Sequence, residues 1–174
     1  RMLHEAATRF PSRAYTTKKT DQGWTPYSYC QVDNESDRIA AFLIANGIQP
    51  ESTFGVLAEG RPEWIIAELG VMKARCISVP LSIKLTPEEI AFRLTHSEAK
   101  GIIASSNTLD NVCKALSLME SKPTLYYLDS ADDRLARHIE EKGWVQNTDY
   151  VTWDVLAATG DDILTRVPDI VDAV

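Results

Sequence analysis

The sequence predicts a doubly wound α/β domain: a parallel sheet of about four strands with helices on both faces, preceded by an N-terminal helix and a β-hairpin. Two observations carry this reading. From Thr53 onward, short apolar runs rich in β-branched residues alternate with helical patterns in the order β-α-β-α-β-α-β. Those runs are apolar at successive positions, as strands buried on both faces must be, and a helix between each pair allows right-handed crossovers.

The elements follow in order. His4 sits in a polar-rich helical stretch at the start of the chain. Ala14 to Thr17 and Trp24 to Tyr27 flank a polar Lys-Lys-Thr-Asp-Gln-Gly stretch, which reads as a hairpin with a longer loop. Ser28-Tyr29-Cys30-Gln31 is a capping box, so a helix starts there, lines one face with Val32, Ile39, Ala40 and Leu43, and stops at Asn46-Gly47. Thr53 to Ala58 is the first sheet strand. Pro62-Glu63 opens a helix whose Ile65, Leu69 and Met72 are expected to face inward, with Trp64 also in the core. Cys76 to Pro80 is the second strand, and Thr86-Pro87-Glu88-Glu89 caps a helix that turns Ile90 and Leu94 inward. Gly101 to Ser105 is the third strand, followed by a helix through Leu109, Val112, Leu116 and Met119, then a fourth strand from Thr124 to Leu128. Ala131 to Lys142 forms one more helix, Thr152 to Ala158 a short one ended by Gly160. Residues 1–160 therefore read as one α/β unit and residues 161–174, which lack a firm period, as an exposed connection.

Composition narrows the class. With 44% apolar and 25% charged residues in 174, the chain can build a core and is not a disordered polymer. Its longest apolar stretches fall far short of the ~18 residues that span a bilayer. The first ten residues carry His4, Glu5 and Arg9 where a signal peptide needs an apolar run, so a cytoplasmic location is expected. Cys30, Cys76 and Cys113 form no Cys-x-x-Cys pair and read as reduced thiols. His4, His96 and His138 are scattered, which leaves no metal-ligand spacing; His138 is expected to be solvated and His96 to end a helix. The net charge of −7 is confined to residues 129–174, where 4 basic residues face 11 acidic ones. A neutral body with an acidic end offers no basic stripe for a nucleic acid.

Ligands of open parallel sheets bind at the carboxyl ends of strands, which singles out four turns: Glu59-Gly60-Arg61, Leu81 to Leu85, Ser105-Ser106-Asn107 and Asp129-Ser130. Gly55 and Gly60 have P-loop spacing, but Gly55 would lie inside the strand, Arg61 replaces the lysine, and Pro62 occupies the place of the metal-binding hydroxyl. Ser105-Ser106-Asn107 reads as a helix N-cap in preference to a phosphate cradle. Asp129 could accept a phosphoryl group only with companion acids and a lysine that the sequence does not make evident. No nucleophile and base are tied by spacing, so no catalytic, cofactor-binding or metal residue is assigned.

Arg61-Pro62-Glu63-Trp64, Ser78-Val79-Pro80-Leu81 and Leu85-Thr86-Pro87-Glu88-Glu89-Ile90 resemble the first α/β region of acyl-CoA synthetases in the adenylate-forming superfamily. The hairpin and Tyr27-Ser28-Tyr29 before a helix fit as well, so the likeness covers about Leu3 to Leu128, and the Arg-Pro-Glu-Trp form is most similar to the long-chain fatty acyl branch. The resemblance implies a two-step ligase: a carboxylate attacks the α-phosphate of ATP with Mg²⁺, and the CoA thiol then displaces AMP. It implies equally that the Gly/Ser/Thr-rich phosphate loop, the adenine site and the catalytic lysine of that superfamily lie outside these 174 residues. The chain is thus expected to be an N-terminal piece, inactive alone, whose partners are the rest of its own polypeptide and the fatty acid, with self-association through an uncovered subdomain face. Ser82-Ile83-Lys84 and Ala58-Glu59-Gly60 depart from the long-chain pattern. A fatty acyl-AMP ligase or a carrier-loading adenylation domain is the alternative within the superfamily, and a free-standing flavodoxin-like binding module the alternative outside it.

Overall fold

A computed structural model describes residues 2–173. Helix α1 (Met2–Arg9) leads into an antiparallel hairpin of β1 (Ala14–Thr20) and β2 (Gly23–Ser28), then α2 (Tyr29–Ala45). The main unit runs β3 (Thr53–Leu57), α3 (Pro62–Lys73), β4 (Ile77–Pro80), α4 (Pro87–His96), β5 (Gly101–Ala104), α5 (Leu109–Ser117), β6 (Thr124–Tyr127), α6 (Asp133–Lys142), β7 (Tyr150–Thr152) and α7 (Trp153–Arg166). The sheet is parallel throughout, in the order β4-β3-β5-β6-β7. The expected doubly wound architecture, N-terminal helix and hairpin are all present.

Local chemistry sets the helix starts. At Ser28 and again at Thr86 the hydroxyl accepts from the N3 amide while Gln31 or Glu89 reaches back to the cap amide. Each such box contributes about 1 kcal/mol. Gly47 takes φ 77° after α2, the left-handed turn that Asn46-Gly47 predicts.

Two cores flank the sheet. One lies under α2, α3 and α7 and is filled by Ile39, Phe42, Leu43, Phe54, Val56 and Ile66 with Tyr126 and Leu156. The other lies under α4, α5 and α6 and holds Ile90, Leu94, Ile102, Leu109, Leu125 and Leu135. Helices α3 and α7 approach α2 so closely that glycine is required at each seam. A β-carbon on Gly70 would stand 2.5 Å from Ile39 Cβ, and one on Gly160 would stand 2.2 Å from the Arg38 carbonyl oxygen. All three cysteines are unpaired, and burial pushes the Cys113 thiol up to about 12, which suits a packing role.

Several elements differ from the sequence reading. The sheet has five strands, because Tyr150–Thr152 pairs with β6 and is buried at all three positions; only three residues long, it is hidden in a stretch that reads as a helix start. Helix α7 does not stop at Gly160 but continues to Arg166, since that glycine is a packing contact on α2, so residue 160 lies inside a helix and 161–166 are helical. The hairpin strands extend through the lysines to a two-residue turn at Asp21 and Gln22. On α3 the buried face is Ile66, Ala67, Gly70 and Val71; Ile65 and Leu69 are half-buried, as is Trp64, and Met72 is 50% exposed. The sequence pattern misplaced that face by one position because α3 is apolar on more than one side. Ser105-Ser106-Asn107 does not cap α5, whose cap position is Thr108. His138 is only 16% exposed, because its Nε2 meets Asp110 Oδ1 at 2.8 Å across α5 and α6.

Candidate functional site at the sheet's switch point

The chain enters the sheet in its interior at β3, steps outward to β4, and returns to β5 on the other side of β3. Helix α3 leaves β3 toward one core and α5 leaves β5 toward the other, so the loops after these neighbouring strands part and open a crevice. Three of the four turns singled out in the sequence converge here: Glu59 and Arg61 after β3, Ser105 and Ser106 after β5, and Asp129 after β6.

The crevice is closed by its own side chains. Ser105 Oγ donates to Glu59 Oε2 at 2.6 Å, directly across the gap. Thr108 Oγ1 donates to the Leu57 carbonyl at 2.8 Å and accepts from the Ser105 amide at 3.1 Å. Arg61 is the hub: its Nη1 lies 2.7 Å from Asp129 Oδ1 and 3.6 Å from Glu59 Oε1, and its Nε donates to Glu63 Oε2 at 2.9 Å. Asp129 in turn accepts from the Ser106 amide at 2.8 Å, and Arg134 donates to the Ser106 carbonyl at 3.2 Å. From the hairpin, Lys18 Nζ donates to Glu63 Oε1 at 2.5 Å. An open groove of about 410 Å³ lies beside this network, between hairpin and α3, walled by Tyr15, Thr17, Arg61 and Trp64.

The electrostatics agree with a satisfied network. Burial raises the Glu63 carboxyl, but hydrogen bonds from Arg61 and Lys18 outweigh it and hold the group down at about 2. Burial works against the Arg61 cation, yet its bonds to Glu63 and Asp129 leave it more firmly protonated than usual. Burial, with a hydrogen bond to the Asp132 carboxylate, pushes the Tyr127 hydroxyl upward.

Such a network resists phosphate. Arg61 is spent on three carboxylates, and the Ser105 and Ser106 amides that could cradle an anion already donate to Thr108 and Asp129. Gly55 lies within β3, where a β-carbon would meet Leu94 and Ile102 side chains at 2.6 and 2.8 Å; it is a packing glycine and no part of a phosphate loop. Asp129 has carboxylate neighbours but is tied to Arg61 rather than open to a phosphoryl donor. Among the described residues no group of three or more His, Cys, Asp or Glu could hold a metal ion. The fourth turn, Leu81 to Leu85, stays apart, with Leu81 donating to Val56 and Leu85 to Ser82. The sequence reading missed Glu63, Lys18 and Thr108 as members of this network. Glu63 was visible only as a first-turn acid, and nothing in local spacing ties Lys18 to it across 45 residues.

Fold and crevice together define a doubly wound α/β unit whose carboxyl strand edge is braced by salt bridges. Residues 3–165 match the family described as AMP-binding enzyme, and the chain belongs to it. It is 27% identical over 133 residues to Long-chain-fatty-acid--CoA ligase 5 of Rattus norvegicus, covering 72% of this chain and 19% of the ligase. It is 34% identical over 80 residues to Tyrocidine synthase 2 of Brevibacillus parabrevis, covering 46% of this chain and 2% of the synthase. The benzoate CoA ligase from Burkholderia xenovorans LB400 superposes with a TM-score of 0.61 at 25% identity, over 80% of this chain and 27% of that one. The chain thus spans less than a third of each of these proteins. The adenylate-forming superfamily and its N-terminal α/β architecture are thereby established.

Proposed function

We propose that this chain is the N-terminal α/β framework of a longer ATP-dependent ligase of the long-chain fatty acyl-CoA type, which forms an acyl-adenylate and then a CoA thioester. The observation that carries the reading is the 133-residue likeness to the rat long-chain ligase. In this reading the Arg61 network braces the strand ends, while ATP, Mg²⁺ and CoA are held by residues elsewhere in the polypeptide. The chain's own residues orient loops and exclude water from the crevice; no bond-making step falls to them. Palmitate-dependent exchange of pyrophosphate into ATP is the test: the full polypeptide catalyses it and the 174 residues alone do not. Exchange by the 174 residues overturns the scaffold role.

A second reading, a domain loading a carrier protein, is favoured by the likeness to the tyrocidine synthase. Product analysis of the full polypeptide with CoA and with a phosphopantetheinyl carrier protein separates the two. In either reading the rest of the polypeptide covers the open β4 edge, where Ile77 and Ile83 are exposed, and the 174 residues alone self-associate there. Light scattering that finds a strict monomer at high concentration counts against this. No described helix is long and apolar enough to cross a membrane.

A further inference from the structure

The turn that ends α2 brings together the parts of an intramolecular reaction. Asn46-Gly47 is the only Asn-Gly pair in the sequence, and both residues are exposed. The backbone nitrogen that follows an asparagine can attack its side-chain carbonyl and close a five-membered ring, and glycine, lacking a β-carbon, hinders that attack least. Asn34, Asn107, Asn111 and Asn147 precede Glu, Thr, Val and Thr, each with a β-carbon that crowds the nitrogen. In the folded protein the reacting groups of the turn are held apart. Asn46 Nδ2 donates to the Phe42 carbonyl at 2.8 Å, and the Gly47 amide donates to the Ile44 carbonyl at 3.0 Å. With φ −85° and ψ 13°, Asn46 keeps a helix-like backbone that turns the Gly47 nitrogen away from its side chain. Both ties belong to a helix end, which frays more readily than the rest opens, and the last turn of α2 has no basic side chain to steady its carbonyls.

We propose that Asn46 is a deamidation site gated by fraying of the last turn of α2. When the turn opens, the Gly47 nitrogen bonds to Asn46 Cγ, the Cγ–Nδ2 bond breaks, and the Gly47 amide proton leaves with Nδ2 as ammonia. Water then opens the ring at either carbonyl and leaves aspartate or isoaspartate at position 46. The product cannot reclose the cap. A carboxylate donates nothing to the Phe42 carbonyl and sets a negative charge at the negative end of the helix. Isoaspartate also lengthens the backbone between Leu43 and Ile48, whose 3.1 Å hydrogen bond seats Ile48 against the core beneath α2. The modified turn therefore stays open, and the entry into β3 loosens with it. The inference is independent of which acid the ligase activates or which thiol accepts it.

The test holds the protein in mildly alkaline buffer, folded and in urea above its unfolding transition, while peptide mapping by mass spectrometry follows a product about 1 Da heavier that includes isoaspartate. In the folded protein, modification is expected first at Asn46, about tenfold or more slower than in the unfolded chain. Its rate is expected to rise only shallowly with urea below the transition, because fraying exposes little surface. N46Q is expected to remain unmodified at that position. N46D carries the aspartate product from the start and is expected to raise the unfolding equilibrium constant about fivefold; N46A, which loses the donor without gaining the charge, raises it less. No product in the folded protein, equal rates folded and unfolded, or a folded-state rate that climbs with urea as steeply as global unfolding overturns the proposal. Faster modification at another asparagine, or an N46D protein as stable as the original, overturns it as well.

Discussion

The two helical layers of this molecule are held to the same sheet by different means. In the α2-α3-α7 layer the helices nearly touch backbones, at Gly70 against Ile39 and Gly160 against Arg38, and the Asp33 carboxylate is buried. Lys73 Nζ lies 2.7 Å from Asp33 and 2.6 Å from Asp37, and Asp33, 6% exposed, also meets His4 at 3.0 Å. In the α4-α5-α6 layer the polar ties sit at the surface. His138 pairs with an Asp110 that is 66% exposed, and Lys142 donates to Ser117 at 2.7 Å. Water competes for Asp110 far more than for Asp33, so equal numbers of contacts do not confer equal resistance to change.

Substitution can break or sharpen that contrast. The largest effect is expected from Gly160→Ala, whose methyl would meet a backbone oxygen that cannot rotate away: a loss of about 3 kcal/mol in urea unfolding. A loss below about 0.5 kcal/mol would show that α7 is free to shift on α2 and would dissolve the contrast. Lys73→Met strands two carboxylates, one of them buried, and is expected to cost about 2 to 3 kcal/mol, most of it recovered when Asp33→Asn and Asp37→Asn are added.

Acid offers a test at the crevice. Glu63 is held at about 2 against its ordinary 4.5, so its contribution is complete above pH 4.5 and disappears as pH falls toward 2. Between pH 5 and 3 that amounts to about 1 to 2 kcal/mol, and Glu63→Gln should flatten this part of the stability profile. The capping boxes provide the internal standard. Ser28→Ala and Thr86→Ala remove the same local bonds in opposite layers and should each cost about 1 kcal/mol, whereas unequal losses would mean that the layer governs even its caps. Smallest is His138→Gln, expected to change stability by less than about 1 kcal/mol because Asp110 remains hydrated without it.

What could be read in the sequence was what local chemistry encodes. The Ser28 and Thr86 boxes, the proline starts of α3 and α4, and the four apolar strands each announce themselves within a few residues. The misses that shape the sheet and the site concern relations between distant segments. β7 is a strand because β6 offers it a partner, and position 160, inside α7, is a glycine because Arg38 leaves no room for a β-carbon. The candidate site shows the same division. Strand-end geometry pointed to Glu59, Arg61, Ser105 and Asp129, but that Arg61 would be neutralised by Asp129, 68 residues away, is set by the strand order β3-β5-β6.

The seam between α2 and α7 also has a consequence in time. Arg38 and Asp161, which pair across it at 3.0 Å, are 123 residues apart, so the ribosome releases α2 long before the helix that covers it. At about 5 to 20 residues per second, the apolar flank of α2 awaits α7 for some 6 to 25 seconds of synthesis. Throughout that interval the flank of α2 that α7 covers stays open, although α3 and β3 have already emerged to cover the rest of the helix.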